Sequence, residues 1–162
     1  MALKTLIFDD DELIRSTLAF FLESEGCEVY AFEKPDQCPY YLYEDCKCDQ
    51  NSYCADIIIT DINMPGASGI EFVENQIRNG CKVKNIAVMS AEWDGPHLAR
   101  AEELGCKVFY KPFSIIDLRD WLNSVKENIK KFNFRAAVHA ERKPAKKGKK
   151  DRLLLRLPSS NK

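Results

Sequence analysis

Two short apolar runs, each stopped abruptly by acid, constrain this chain more than any other feature. Leu3 to Phe8 ends in Asp9-Asp10-Asp11, and Ala55 to Thr60, with three consecutive isoleucines, ends in Asp61. Apolar runs of this length read as strands buried on both faces, which calls for a parallel sheet covered by helices. Carboxylates at the C-terminal ends of such strands stand where open α/β sheets bind their ligands.

The rest of the chain fits that frame. Glu12 to Glu25 places Leu13, Ile14, Thr17, Leu18, Phe21 and Leu22 on one helix face. Glu28 to Phe32 reads as a second strand, and Met64-Pro65-Gly66 as a turn after the isoleucine run. Helices are predicted over Gly69 to Arg78 and Pro96 to Leu104, and strands over Asn85 to Met89 and Lys107 to Tyr110. Ser114 is a suitable N-cap for a long amphipathic helix carrying Leu118, Trp121, Leu122, Val125, Ile129 and Phe132. The pattern Gly-Cys-x-Val recurs at Gly26, Gly80 and Gly105, each time between a helix and a strand, so one αβ corner is reused. The alternation predicts an α/β fold: a doubly wound, five-stranded parallel sheet with helices on both faces.

Charge divides the chain in two. After Phe132 there are ten Lys/Arg and two acids, a net of +8, which leaves residues 1–132 at −9. The expected organisation is a domain over 1–132 and a basic, disordered arm over 133–162. Such an arm suits an anionic partner, whether nucleic acid, membrane surface or acidic protein. There is no room for a helix-turn-helix, so sequence-specific DNA reading is not expected. No apolar run approaches the ~20 residues of a bilayer span, and the start of the sequence, running from Met1 to Phe8 straight into acids, leads us to expect no secretory signal. A cytoplasmic location is the expectation.

If the first strand and the isoleucine strand are neighbours, Asp9, Asp10 and Asp61 converge. Three carboxylates repel, and a hard divalent cation with oxygen ligands, Mg²⁺, neutralises them. Ser90 and Lys111 each follow another strand and offer a hydroxyl and an ammonium, which a transferred phosphoryl group requires. The alternative is that strand-end acids only cap helices.

At these residues the chain resembles the receiver domain of bacterial response regulators, the fold of the chemotaxis regulator. The resemblance covers about residues 3–131 and rests on Asp9-Asp10, on Asp61 to Gly66 with Gly69 after it, on Ser90-Ala91 and on Lys111-Pro112-Phe113. It implies a flavodoxin-like strand order 2-1-3-4-5 and a phosphoacceptor role for Asp61 towards the phosphohistidine of a sensor histidine kinase or phosphotransfer protein. It implies Asp10 as a direct Mg²⁺ ligand, Asp9 as one through water, and the backbone carbonyl of Asn63 as another. Ser90 matches the switch hydroxyl, Lys111 the cation paired with the phosphoryl group, and the Lys111–Pro112 peptide is expected to be cis. Asp11 is expected beside the site. The implied protein is a stand-alone signalling module that binds a downstream partner when phosphorylated and dephosphorylates itself, rather than an enzyme. It departs from the family at Val108, where receivers place a Tyr or Phe; Phe109 points to the opposite face and does not substitute. A rival is a haloacid-dehalogenase-type phosphatase, which Asp9-x-Asp11 imitates, but Glu12-Leu13 stands where that family has Gly-Thr. A receiver-fold scaffold that is never phosphorylated is the third reading.

Seven cysteines in a chain of this kind argue against a disulfide framework. Cys27, Cys81 and Cys106 sit at the αβ corners and read as small apolar filler. Cys38, Cys46, Cys48 and Cys54 fall in a proline-containing stretch, 35–54, where a receiver carries its second helix and where helical periodicity is weak. Four thiolates on a poorly packed loop suit a structural Zn²⁺; the alternative is four ordinary loop thiols.

Overall fold

The structure is a computed structural model that describes residues 2–39, 46, 48, 53–92 and 94–141, with side chains through residue 135. The two acid-ended runs form the middle of a sheet: β1 is Leu3–Phe8 and β3 is Ile57–Asp61. Every residue of β3 is buried, as its isoleucines require. Helix α1, Glu12–Ser24, leads to β2, Cys27–Phe32. After β3 come β4, Asn63–Met64, and β5, Ala67–Ser68, then α2, Gly69–Arg78, and β6, Asn85–Ser90. Helix α3, Gly95–Glu103, β7, Lys107–Tyr110, and α4, Ile115–Glu141, complete the order.

The five longer strands pair in parallel in the order β2-β1-β3-β6-β7. Counting only those five, this is the expected order 2-1-3-4-5. Alternation along the strands sends Leu6, Phe8, Ile58, Ile86 and Val88 into one apolar cluster with Ile70, Phe72 and Val73 of α2 and Ala101 of α3. Ile7, Ile57, Ile59, Ala87 and Met89 are buried but lie outside that cluster, as do Leu18, Phe21 and Leu22 of α1, so the sheet is covered on both faces.

Local chemistry sets the element ends. Asp11 caps α1, its carboxylate accepting from the N–H groups of Leu13 (2.8 Å) and Ile14 (3.1 Å). Asp94 caps α3 through the His97 N–H at 2.8 Å, and Ser114 caps α4 through the Ile116 N–H at 3.1 Å. The turn predicted at Met64-Pro65-Gly66 closes a small antiparallel hairpin, β4 with β5, with Gly66 at φ +73°. The three Gly-Cys corners have their glycines at φ +83°, +80° and +72°, so the repeated motif is one backbone geometry used three times.

Between β2 and β3 the described residues contain one 3₁₀ turn, Pro35–Gln37. The reading that 35–54 lacks a regular second helix falls mostly on residues outside those described. Helix α4 continues past Phe132, where the sequence reading ended it, to Glu141. The chain divides into two compact units, Met1–Arg119 and Asp120–Lys162, the boundary falling within α4. In the first unit, the Arg119 guanidinium pairs with Glu25 at 2.9 Å and lies over the Phe21 ring. In the second, Lys131 pairs with Glu127 one turn away at 3.7 Å, and Phe132 is exposed. The basic stretch from 142 onward lies outside the described residues. No helix among the described residues is long and apolar enough to cross a membrane.

Ile59 is fully buried in the central strand, whereas Leu13 on α1 is 76% exposed. Ile59→Ala is expected to cost about 2–5 kcal/mol in urea denaturation, and Leu13→Ala to stay within about 0.5 kcal/mol.

Candidate functional site

Parallel pairing of β1 with β3 carries Asp9 and Asp61 to the same edge of the sheet, and oxygens of Asp9, Asp10 and Asp61 all come within 4.8 Å of one another. Asp9 is 0% and Asp61 6% exposed, while Asp10 is exposed. Two buried carboxylates this close require a cation. Lys111, just beyond β7, supplies one: its Nζ lies 2.8 Å from Asp9 Oδ2 and 3.2 Å from Asp61 Oδ1. Backbone groups complete the cage. The Ile62 N–H donates to Asp61 Oδ1 at 2.9 Å, and the Asp11 N–H to Asp9 Oδ1 at 2.9 Å.

The electrostatic consequence differs between partners. Burial raises the Asp61 carboxyl above its ordinary range and the Asp9 charge adds to this; Lys111 and the Ile62 N–H oppose without cancelling it. For Lys111, burial disfavours the ammonium, but Asp9 and Asp61 together outweigh that, so its pKa is raised. Three carboxylates here face one ammonium in contact among the described residues. The site is made of oxygen donors with an excess of negative charge, a set that fits a hard divalent cation.

Ser90 ends β6 and is 1% exposed. Its hydroxyl donates to the Glu92 carbonyl at 2.6 Å and accepts from the Glu92 N–H at 3.1 Å and from the Asn63 side-chain amide at 3.3 Å. The chain after β6 is joined to the site through the Lys111 N–H, which donates to the Ser90 carbonyl at 2.8 Å. The Lys111–Pro112 peptide is cis, as expected. Val108 packs against the apolar cluster that contains Val88, while Phe109 is buried outside it, so the two lie on opposite faces of the sheet.

Three contacts escaped the sequence reading, although Asn63 and Gly69 themselves were among the residues it singled out. Arg15 Nη1 donates to the Asp9 carbonyl at 2.6 Å; the only signal for it is its place one turn after the Asp11 cap. The Asn63 amide reaches Ser90, a contact that depends on the β4–β5 hairpin. Gly69 starts α2 against the strand end: a Cβ there would collide with the Asp61 carbonyl and come 2.9 Å from Thr60 Oγ1, so α2 could not approach. Asp11, the second acid of the phosphatase-like pair, spends its carboxylate on capping α1.

The cysteine set expected to hold zinc is not the set the fold assembles. Cys38 is 1% exposed and sits in the apolar cluster with Phe8 and Phe72. Its place is taken by Cys81, read from sequence as filler: the sulfurs of Cys46, Cys48, Cys54 and Cys81 all lie within 4.8 Å of one another. Cys38 follows the C-terminal end of β2, whereas Cys54 and Cys81 lie a few residues ahead of the N-terminal ends of β3 and β6 and so at the opposite edge of the parallel sheet.

Comparison with known proteins agrees with this geometry. The family profile described as "Response regulator receiver domain" matches residues 5–123. The transcriptional regulatory protein FixJ of Azorhizobium caulinodans is 32% identical over 108 residues, covering 66% of this chain and 47% of that protein. The chain thus spans about half the length of the curated relative it matches. Among solved structures, the chemotaxis protein CheY4 of Vibrio cholerae is similar at TM-score 0.62 and 26% identity, over 77% of this chain and 99% of that one. The N-terminal domain of an uncharacterized protein from Wolinella succinogenes gives TM-score 0.67 and 28% identity, over 82% and 99%.

The raised Asp61 carboxyl has a measurable cost. An acid held above its unfolded value binds its proton more tightly when folded, so stability falls as pH rises through that value and stays lower above it. Without divalent cations, Asp61→Asn is therefore expected to raise Tm at pH 7. The gain should vanish below about pH 4, where the wild-type carboxyl is protonated in both states. Thermal melts in chelator across that range check it.

Proposed function

The chain belongs to the response regulator receiver family, and on that premise we propose that Asp61 accepts a phosphoryl group from a phosphohistidine on a sensor histidine kinase or phosphotransfer protein. The observation that carries this reading is the single Lys111 ammonium shared by the buried carboxylates of Asp9 and Asp61. An Asp61 oxygen attacks phosphorus, the phosphorus–nitrogen bond breaks, and the histidine nitrogen leaves with its electron pair. Lys111 is in place to stay with the transferred group as its oxygens gather beside Asp61.

Asp10, Asp9, Asp61 and the backbone carbonyl of Asn63 are the residues that would hold Mg²⁺. When bound, that ion neutralises carboxylate and phosphoryl charge and so lowers the cost of bringing them together. Self-dephosphorylation reverses the connectivity: water attacks phosphorus and the Asp61 carboxylate leaves.

Signal output is assigned to Ser90. To reach a phosphoryl oxygen its hydroxyl must leave the Glu92 carbonyl, which frees the chain between β6 and the Asp94 cap of α3. The β-branched Val108 has no aromatic ring to swing, so this loop carries the change in place of β7. The downstream partner binds the altered surface, as population shift requires.

Acetyl phosphate with Mg²⁺ should add one phosphoryl group, located at Asp61 by mass spectrometry; Asp61→Asn should abolish it, and equal labelling of that variant would overturn the assignment. Asp10→Asn should weaken Mg²⁺ binding more than about tenfold, or about 1.4 kcal/mol, in a titration. Unchanged affinity would remove Asp10 from the ligand set.

A further inference from the structure

We propose that Cys46, Cys48, Cys54 and Cys81 bind one Zn²⁺ ion in a tetrahedral four-thiolate site that fastens the segment entering β3 to the end of α2. The site is independent of the phosphoacceptor reading and lies at the opposite edge of the sheet.

The geometry is that of a mononuclear site. Cys46 and Cys48 sulfurs are 3.3 Å apart, those of Cys54 and Cys81 are 3.6 Å apart, and none of the four is more than 4.8 Å from another. Four sulfurs at ~2.3 Å from a central zinc stand ~3.8 Å from each other in a tetrahedron, within the observed spread. A polynuclear iron–sulfur core holds its thiolates on different irons and needs wider spacing. Disulfides need sulfurs ~2.05 Å apart, and none of these pairs has formed one.

A backbone donor faces the sulfurs: the Cys54 N–H donates to Cys48 Sγ at 3.2 Å. Amides aimed at sulfur disperse thiolate charge and orient the ligands, the outer-shell arrangement metal sites rely on. Apolar filler has no use for them. Cys38 is a buried member of the apolar cluster with Phe8 and Phe72, against which Cys54 and Cys81 also pack, but its sulfur is not among the four that converge.

The ligands come from two anchored places. Cys81 follows Gly80 in the turn that ends α2, with the Gly80 N–H on the Ile77 carbonyl (3.1 Å) and the Cys81 N–H on the Gln76 carbonyl (2.9 Å). The Cys46 N–H donates to the Asn79 carbonyl at 2.9 Å, bringing the distant segment against the same corner. Cys54 stands a few residues before β3, whose neighbour β6 begins a few residues after Cys81. A metal at this point joins two chain entries to adjacent strands, and its binding energy adds to that of folding.

The test uses the full chain, expressed with zinc supplementation and purified under reducing conditions. Elemental analysis should find about one zinc per chain. Cys81→Ser should lose it and Cys38→Ser should keep it, the reverse of what proximity in sequence suggests. Cys46→Ser, on the other side of the site, guards against a Cys81 variant that fails to fold, and should also lose the metal. Cobalt substituted into the wild-type protein should show the visible bands of tetrahedral thiolate coordination. Wild-type protein without zinc, native protein whose four thiols alkylate freely or are found as disulfides, or zinc lost from Cys38→Ser but kept in Cys81→Ser would each overturn the proposal.

Discussion

Burying Asp9 and Asp61 side by side is possible because one ammonium stands between them. Without Lys111, the ends of β1 and β3 would carry two nearly inaccessible carboxylates whose repulsion opposes the strand pairing that creates them. The lysine enters from just beyond β7, two strands away from β3, so the site closes only when β6 and β7 are added in register. The ammonium does not fully relieve the pair: Asp61 remains raised, held by burial and by Asp9. That residual strain is what a divalent cation or a change at Asp61 would relax, and it links stability to the chemistry proposed for the site.

Around this charge cage the backbone is fitted closely. Gly69 lets α2 begin against the carbonyl of Asp61, and the Gly69 N–H donates to the Ile62 carbonyl at 2.9 Å. Asp11 directs α1 away from the Asp9 end of β1 and in doing so lays Arg15 over the Asp9 carbonyl. The hydroxyl of Ser90 is engaged by the chain that follows it, through the carbonyl and N–H of Glu92.

The opposite edge of the sheet is organised by sulfur instead. The chain between β2 and β3 has one described turn of helix, and where it returns toward β3 its thiols meet Cys81 at the end of α2. The same Gly-Cys corner occurs at Cys27 and Cys106, where the cysteine packs as an apolar side chain, so the corner itself does not make a site. What differs at Cys81 is its neighbours.

Element type and strand-end chemistry were legible in the sequence because both are local. An isoleucine run ended by Asp61, an Asp9-Asp10 pair after a strand, Ser90 and Lys111 at later strand ends, and Ser114 before an apolar period of about 3.6 residues each carry their meaning within a few positions. With the family resemblance, that was enough to expect the sheet order and the acidic cluster. Contacts set by strand neighbours were not legible: Arg15 on Asp9, the Asn63 amide on Ser90, and Gly69 against Asp61 all depend on how elements meet. The cysteines show the limit most plainly. By sequence distance Cys38 belongs with Cys46, Cys48 and Cys54, and Cys81 does not. The parallel pairing of β3 with β6 reverses this, because residues that enter adjacent parallel strands share one edge of the sheet, whereas Cys38 leaves β2 at the other.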